Sequence, residues 1–444
     1  MKEIVATSLE LKQKLVDFVY DAEGDLALAL ESYAAEKGKK NSYGIKQQNL
    51  TIDLFLTEGR VKEQNPVEIF LASAIDLSPK NRAIIEKFKH NFIGLFEIKA
   101  KADNHYILMN WLTAKTYQVY AHSQISAKER TRLQPGEIIV TILAPVTSTE
   151  WCFFSDRIIK GKLSQPKLAV AIGEFRDNYP NFLYADAPEL LNQAWDSVAV
   201  YHQEFVNYLG SDRLTLAGYK LNQKISELQQ RISQKKLAEA GIDTDQSLAE
   251  MLSASGTNEA DFSETAADLG VDSKAIDQII VNRDKLSMVT PKVELPPEIR
   301  QAEKVTVFSH SQWGQVFLPD FTQFSDLLES ENLSETDSAA LVKYLRKYLE
   351  QPEANYYVWQ QLKQKYPLKL EIILQEYLNQ TDFELERDLD QLLLKYSKSA
   401  IPELPAIANV PIHLNNLFEA AVAQVQKSKS KSTKRSKKKG FLSK

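Results

Sequence analysis

The feature of this sequence that most constrains its fold is a change of hydrophobic period at Asn91. Before that residue, and again after residue 165, apolar side chains recur with helical spacing. Between them, short aromatic and β-branched runs are separated by polar breaks and a Pro135-Gly136 turn. The connections are too short for crossover helices, so we expect a small antiparallel β-barrel of the OB or SH3-like kind. The runs are Phe92–Ile98, Tyr106–Trp111, Tyr117–Tyr120, Ile138–Leu143 and Trp151–Phe154.

The rest of the chain is predicted to be largely helical. It has 15 glycines in 444 residues, about half the usual share of roughly 7%. The predicted fold class is therefore α+β, mainly α-helical and multidomain, with one small barrel and a C-terminal helical array. The proposed divisions are 1–89 (N-terminal helices), 90–165 (barrel), 166–256 (long helices), 257–300 (an acidic helix-turn-helix-like module and linker), 301–426 (C-terminal helical domain) and 427–444 (a disordered basic tail).

Charge is distributed unevenly along the chain. Residues 427–444, the basic tail, hold nine of the 54 Lys and Arg residues and none of the 59 acids, which leaves a body of formal charge −14. Such a segment has no apolar periodicity with which to fold alone. It predicts contact with RNA, another polyanion or an anionic membrane surface, or else with the acidic body itself. The polyanion-binding candidates are Lys427, Lys429, Lys431, Lys434, Arg435, Lys437, Lys438 and Lys439.

The predicted barrel is a second basic region. Residues 91–162 carry nine basic and six acidic side chains together with many aromatic ones. Barrels that bind single strands combine a basic groove with rings on which bases stack, so this composition favours RNA contact. Packing of the same rings inside the barrel is the competing interpretation. The candidate residues in the barrel are Arg130, Arg132, Trp111 and Trp151.

Residues 263–280 have the spacing of a helix-turn-helix, with Gly270 at the turn. Seven acids against three bases between residues 259 and 285 disfavour contact with DNA phosphates. A small three-helix module that packs or binds a protein is the better interpretation.

Signatures of enzymes are sparse. No nucleotide-binding glycine motif, hydrolase elbow or zinc-protease motif occurs, and the six histidines have no metal-ligand spacing. We therefore predict no catalytic residue, metal or cofactor. One polar cluster, Ser309 to Gly314 around His310, is the only candidate pocket, and a turn with a packed Trp313 is its simpler interpretation.

The compartment is predicted from two features. Cys152 is the only cysteine, which excludes an intramolecular disulfide and fits a reducing environment. The sequence also lacks the long apolar run of a signal peptide or transmembrane segment. We expect a cytoplasmic protein with no transmembrane segment.

Three hypotheses for function follow. The first is a non-enzymatic adaptor or assembly factor that binds a protein partner, with the barrel and basic tail contacting RNA or another polyanion. The second is a regulatory or ribosome-associated protein that binds RNA or single-stranded nucleic acid. The third is an enzyme of unrecognised type with a pocket near His310.

Overall fold

The chain is described by a computed structural model, which confirms the mainly helical α+β class with a small barrel and C-terminal helices. It divides into two compact units, residues 1–191 with 413–444 (unit 1) and residues 192–412 (unit 2). The helix-turn-helix pattern at 263–280 and the basic tail lie outside the described residues. The described residues are 2–40, 46–62, 64–74, 76–121, 125–239, 288–291, 294–332, 334–422 and 424–425.

Unit 1 begins with five helices whose starts follow from local sequence. Ser78 caps the fifth helix, accepting a hydrogen bond from the Asn81 amide at 3.2 Å, and Pro79 occupies its first turn. Asn65 and Glu68 form a reciprocal capping box at the fourth helix. The helices are α1 (Lys2–Tyr20), α2 (Asp25–Lys40), α3 (Lys46–Glu58), α4 (Pro66–Ser73) and α5 (Pro79–Lys87).

The barrel follows directly after a short 3₁₀ turn at Phe88–His90. All five runs expected from the sequence form strands, and a sixth strand and a short helix, α6 (Ala127–Arg132), accompany them. The strands are β1 (Phe92–Lys101), β2 (His105–Asn110), β3 (Thr116–Tyr120), β4 (Ile138–Pro145), β5 (Glu150–Phe153) and β6 (Ile158–Gly161).

The barrel is mixed: four of the five strand pairs that close it are antiparallel, as expected, and one is parallel. The first five strands close in the order β1-β2-β3-β5-β4, with β4 returning to β1, and β6 adds to β4. The pair β3–β5 is parallel. A ring with an odd number of strands cannot alternate direction throughout, because its last strand would meet the first with the same direction. With α6 between β3 and β4, this is a barrel of the OB type.

Aromatic side chains fill the barrel. The ring of Trp151 meets those of Phe92 and Tyr117 edge to face, each at 5.3 Å between centroids. Phe96 packs over Gly94, where an added Cβ would lie 2.5 Å from its ring. Helix α7 (Gln165–Asn178) and the helical residues 412–422 add Leu168, Leu414 and Leu417 to the hydrophobic core that the N-terminal helices and the barrel share.

Unit 2 contains most of α8 (Pro188–Leu209), followed by α9 (Gly218–Glu239) and α10 (Pro297–Gln301). Its three-stranded antiparallel sheet has the order β10-β9-β7. The sequence indicated the two strands after residue 304 but not β7. Strand β7 lies about ninety residues earlier in the chain and pairs with β9. The hydroxyls of Thr215 on β7 and Thr306 on β9 lie 2.8 Å apart. The strands are β7 (Arg213–Leu216), β8 (Met288–Val289), β9 (Val305–His310), β10 (Gly314–Leu318) and β11 (Val410–Pro411).

The C-terminal helical array of unit 2 forms as predicted. Its core is built around large, fully buried side chains, among them Trp359, Tyr348 and Phe324. Ser334 with Asp337, and Asn355, cap two of its helices at their N-termini. The helices are α11 (Phe321–Glu329), α12 (Glu335–Glu350), α13 (Tyr356–Lys365), α14 (Pro367–Leu378) and α15 (Leu385–Lys395).

Candidate functional site

The outer face of strands β2 and β3 is a half-exposed surface on the barrel. Along both strands, buried and partly exposed residues alternate, because successive side chains point to opposite sides of a strand. The register places the outward residues opposite one another in three cross-strand pairs. These pairs, here called the β2–β3 face, are His105 with Tyr120, Ile107 with Gln118, and Met109 with Thr116.

The two rings of this face lie together at one end of it. The His105 and Tyr120 ring centroids are 5.6 Å apart. The Tyr120 hydroxyl donates to the Glu150 carboxylate at 3.0 Å and accepts from the Gln118 amide at 2.7 Å. The hydrogen bond to Glu150 raises the pKa of Tyr120, so its phenol is neutral at physiological pH. A neutral, fixed ring beside an imidazole is a surface on which a planar group can stack.

Four cations surround helix α6 and are here called the α6 cluster: Lys101, Lys128, Arg130 and Arg132. Lys128 and Arg132 are exposed on the helix, and Lys101 is exposed at the end of β1. The Lys101 Nζ donates to the Arg130 carbonyl at 2.6 Å, which joins β1 to the helix. The Arg130 Nε donates to the Ile125 carbonyl at 3.1 Å, so Arg130 also shapes the turn before the helix.

Helix α6 is held against the barrel by a buried ion pair. The Arg157 side chain is 3% exposed, and its guanidinium contacts the Glu129 carboxylate at 2.7 Å. Ser126 caps the same helix by accepting from the Glu129 amide at 3.2 Å. These contacts neutralise Arg157 and Glu129, so the charge that α6 presents to solvent comes from its other basic residues.

The rings and the α6 cluster occupy the same end of the barrel. Lys101 pairs with Tyr106 across β1 and β2, and His105 directly precedes Tyr106. Burial raises the pKa of the Tyr106 phenol, while the charges of Arg130 and Arg157 oppose that change, which places both guanidinium groups near it. Tyr106 and His105 point to opposite sides of β2, so these contacts show that the rings and the α6 cluster share one end of the barrel but give no contact between them.

The β2–β3 face is not itself basic. Glu97, which lies opposite Met109, forms an ion pair with Lys99 at 3.0 Å, and Glu150 accepts from Tyr120. Acidic groups on the face repel phosphate, so an anionic chain would follow the cations at its end. The arrangement suits a ligand with apolar planar groups on one side and anionic groups on the other.

The four barrel residues proposed from the sequence fall in different places. Arg130 and Arg132 both lie in the α6 cluster. Trp111 is half-buried in the turn after β2, at the end of that strand away from His105, and its carbonyl lies 2.8 Å from the His413 Nε2. Trp151 is 8% exposed and belongs to the barrel interior. Seven of the nine Phe, Trp and Tyr residues between 91 and 162 are buried, which supports the packing interpretation for those rings: Phe92, Phe96, Tyr106, Tyr117, Trp151, Phe153 and Phe154.

The sequence did not single out His105 and Tyr120 as a pair. Each begins or ends a short strand, and only the register of β2 against β3 makes them neighbours. The alternation of His105, Ile107 and Met109 could have identified an outward row on one strand. It could not have supplied the matching row on the other.

The polar cluster near His310 has a second histidine that is distant in sequence. The His202 Nδ1 lies 3.0 Å from the Ser309 Oγ, and its ring is 6.4 Å from that of His310. Ser309 is 1% exposed, so its hydroxyl is not presented to a substrate. The cluster also contains the Tyr357 ring, 4.5 Å from His310, and Trp313 stacked on Tyr356. It is a packed turn, as the simpler interpretation of the sequence expected.

Within the part of the chain that the structure describes, no three His, Cys, Asp or Glu side chains could together hold a metal ion. None of the helices described there is long and apolar enough to cross a lipid bilayer. No protein-family model matches the sequence, and neither a curated protein nor a solved structure is significantly similar to it.

Proposed function

We propose that this protein is a non-enzymatic, cytoplasmic adaptor or assembly factor whose barrel contacts single-stranded RNA and whose helical array binds a protein partner. One observation supports the RNA contact: the half-exposed ring pair His105–Tyr120 and the α6 cluster lie at the same end of a barrel of the OB type. Barrels of this type bind oligonucleotides on the face of strands 2 and 3.

The two parts of the site supply different interactions. A base stacked on an aromatic ring contributes about 1–3 kcal/mol and does so for any base. Each phosphate neutralised by a cation lowers the slope of log affinity against log salt by about 0.7 on a single strand. The stacking partners are Tyr120 and His105, and the phosphate partners are Lys101, Lys128 and Arg132.

The first experiment reverses the two most exposed charges of α6. The K128E/R132E variant is expected to bind a fluorescent oligouridine at least about tenfold more weakly, with a salt slope shallower by about 1.4. The matched control is K14E/K167E, which reverses two exposed lysines on α1 and α7. Equal loss in both variants would mean that only the net charge of unit 1 matters, and would contradict a site at α6.

The second experiment separates stacking from hydrogen bonding. Y120A removes the ring, while Y120F keeps it and loses only the hydroxyl, with its hydrogen bonds to Glu150 and Gln118. We expect Y120A to weaken binding by about tenfold, since stacking contributes 1–3 kcal/mol, and Y120F to bind nearly as wild type. Equal effects of Y120A and Y120F would argue against stacking.

The protein-partner part of the proposal is supported by helix α14. Leu368 is 78% exposed and Ile372 is 52% exposed, and their four-residue spacing places them on one side of the helix. Adjacent exposed apolar side chains are typical of a protein contact. Affinity purification with nuclease present should recover a partner with the wild-type chain and lose it with L368S/I372S. Recovery of RNA alone would favour the second hypothesis, a nucleic-acid-binding protein proper.

A further inference from the structure

The hydroxyl end of the Tyr120 ring, on the β2–β3 face, is surrounded by fixed polar groups. Strand β5 begins beside β3, and its first residue, Glu150, lies opposite Gln118 in the register. Ile107, Gln118 and Glu150 therefore form one partly exposed row across three strands. The Tyr120 side chain reaches back to this row, since its hydroxyl contacts both Gln118 and Glu150. A base stacked on the Tyr120 ring can therefore reach Gln118 and Glu150 with its edge.

The Glu150 carboxylate is held in place by two hydroxyl groups. Its Oε1 accepts from Tyr120 at 3.0 Å, and its Oε2 accepts from the Thr147 Oγ1 at 3.1 Å. The Thr147 hydroxyl also accepts from the Glu150 amide at 3.1 Å, so the loop before β5 fixes both the backbone and the side chain of Glu150. A carboxylate has about four acceptor positions, so each oxygen keeps a lone pair for a ligand. Because the group is already ordered, a ligand does not have to order it on binding.

The hydrogen bonds at Tyr120 also fix the orientation of Gln118. An ionised carboxylate only accepts, so the proton of the Tyr120 hydroxyl points to Glu150. The hydroxyl oxygen then accepts from Gln118, which places the NH2 group of Gln118, rather than its carbonyl, 2.7 Å from Tyr120. An NH2 group has a second hydrogen that a ligand can accept. The row thus presents two acceptors at Glu150 and one donor at Gln118.

Among the RNA bases, guanine matches this set of groups. Single-stranded bases are recognised through hydrogen bonds to their Watson–Crick edges. On that edge guanine has two adjacent donors, N1–H and the 2-amino group, next to the O6 acceptor. Two adjacent donors suit a bidentate contact with a carboxylate. Adenine, cytosine and uracil each offer one donor group that is flanked by a lone pair, and that lone pair would meet the negative charge of Glu150.

We propose that the β2–β3 face selects guanine in the single-stranded RNA that it contacts, and that Glu150 determines this specificity. The base stacks on Tyr120, its N1–H and 2-amino groups donate to Glu150, and its O6 accepts from Gln118. This inference rests on the proposed function, because it names the base that the RNA site takes. It also gives a reason for a carboxylate on a surface that binds a polyanion, since contact with phosphate alone would disfavour one.

The test measures the fluorescence anisotropy of labelled oligonucleotides bound to the full chain. The probes are an oligouridine and three forms of it with one central guanosine, adenosine or inosine. We expect the guanosine form to bind about tenfold more tightly than oligouridine or the adenosine form, as one bidentate contact to a base allows. Inosine keeps N1–H and O6 but lacks the 2-amino group, so its form should bind more weakly than the guanosine form.

The E150Q variant separates specificity from general binding. It keeps the length of the side chain and a carbonyl that can accept from Tyr120, but it replaces one acceptor with a donor and removes the charge. We expect the preference for guanosine to fall from about tenfold to less than about twofold. Oligouridine should bind somewhat more tightly, because a charge that repels phosphate is lost. A purely structural defect would instead weaken the binding of every probe.

The matched control is E97Q. Glu97 lies on β1 opposite Met109, across the face from Glu150, so the variant removes the same charge at a different place. It should strengthen oligouridine binding in the same way and keep the preference for guanosine.

Three results would overturn the inference. Equal affinity of wild type for oligouridine and the guanosine form, with both bound, would show that the face does not select guanine and would leave the proposed RNA contact intact. An unchanged preference in E150Q would assign the selection to other residues. Failure of wild type to bind any of the probes would overturn the proposed RNA contact and this inference with it.

Discussion

The tautomer of the neutral His310 ring is set by hydrogen bonds within the turn that follows it. Its Nδ1 accepts hydrogen bonds from the backbone amides of Gln312 at 3.1 Å and Trp313 at 3.3 Å. Because both donors point at Nδ1, the proton of the neutral ring lies on Nε2. A metal bound at Nε2 would need that proton on Nδ1, so this geometry disfavours metal binding by His310.

Several groups around His310 bear on its charge. Burial lowers its pKa, the nearby His202 lowers it further, and Asp212 opposes both effects. Burial likewise lowers the pKa of His202, and the charge of Asp212 again opposes this change. The Tyr357 ring is the nearest contact from helix α13. Both imidazoles are thus neutral over a wider pH range in the fold than in the unfolded chain.

Acid should therefore destabilise this region. Because the folded pKa values of His202 and His310 lie below the ordinary value of 6.5, their stabilising effect is complete above that value and is lost as pH falls below it. We expect a lower urea midpoint at pH 5.5 than at pH 7.5.

H310N is the informative variant, since the Asn carbonyl can accept from the amide two residues on and does not titrate. H310N should show a smaller acid-induced decrease in the urea midpoint than wild type, and some decrease should remain because His202 and His413, whose pKa values burial also lowers, still titrate. The control H90N changes an exposed histidine, so its acid-induced decrease in the urea midpoint should equal that of wild type. If the acid-induced decrease in the urea midpoint were the same in H310N as in wild type, it would come from residues other than His310.

At the scale of elements, one buried ion pair connects two helices to the barrel. The Lys12 Nζ on α1 lies 2.7 Å from the Asp53 carboxylate on α3 and donates to the Phe154 carbonyl just after β5 at 2.5 Å. It also lies 4.9 Å from the centroid of the Phe154 ring. Burial raises the pKa of Asp53 to about 6, although Lys12 lowers it, so the carboxylate depends on its partner to remain charged.

Removal of one member of this pair should cost more than removal of both. K12M leaves a buried carboxylate without its cation and should lower the free energy of unfolding by about 3–5 kcal/mol. K12M/D53L removes the charge as well and should recover most of that loss. Urea denaturation of both variants at pH 7.5 measures the difference. A loss below about 1 kcal/mol in K12M would mean that the pair behaves as an exposed one.

At the scale of the whole molecule, the strongest electrostatic feature is the contrast between a body of charge −14 and a tail of +9. Deletion of residues 427–444 should weaken binding to any polyanion and flatten its dependence on salt, because fewer counterions are released. Unchanged affinity and salt slope in the 1–426 chain would show that the tail makes no such contact.

Much of the fold could be predicted because local patterns decide it. Alternation and turn residues located the five barrel strands to within a few residues, and Ser78-Pro79 marked the start of α5. The sixth strand and β7 were missed because each is only four residues long and contains no buried residue, so neither has a strong apolar signal. The parallel direction of the β3–β5 pair was not predicted, because it depends on closure of the ring of strands.

The candidate site could be predicted only in part. The basic excess of residues 91–162 pointed to the segment that contains the proposed site, and Arg130 and Arg132 share one short helix. The sequence singled out Trp111 and Trp151 and not His105 and Tyr120, although Trp151 is buried inside the barrel. Which face of a strand looks outward depends on the strand pairing, and neighbours across strands depend on register.

The sequence by itself determined the helix–barrel–helix order, the charge contrast between body and tail, and the aromatic composition of the barrel. These follow from period, turn chemistry and residue counts, which act over a few residues. Only the tertiary structure decided that Trp151 is interior, that His202 meets Ser309 across 107 positions, and that Phe418 and Val422 are left exposed. Such outcomes depend on which surfaces are buried against each other, and burial is a property of the assembled chain.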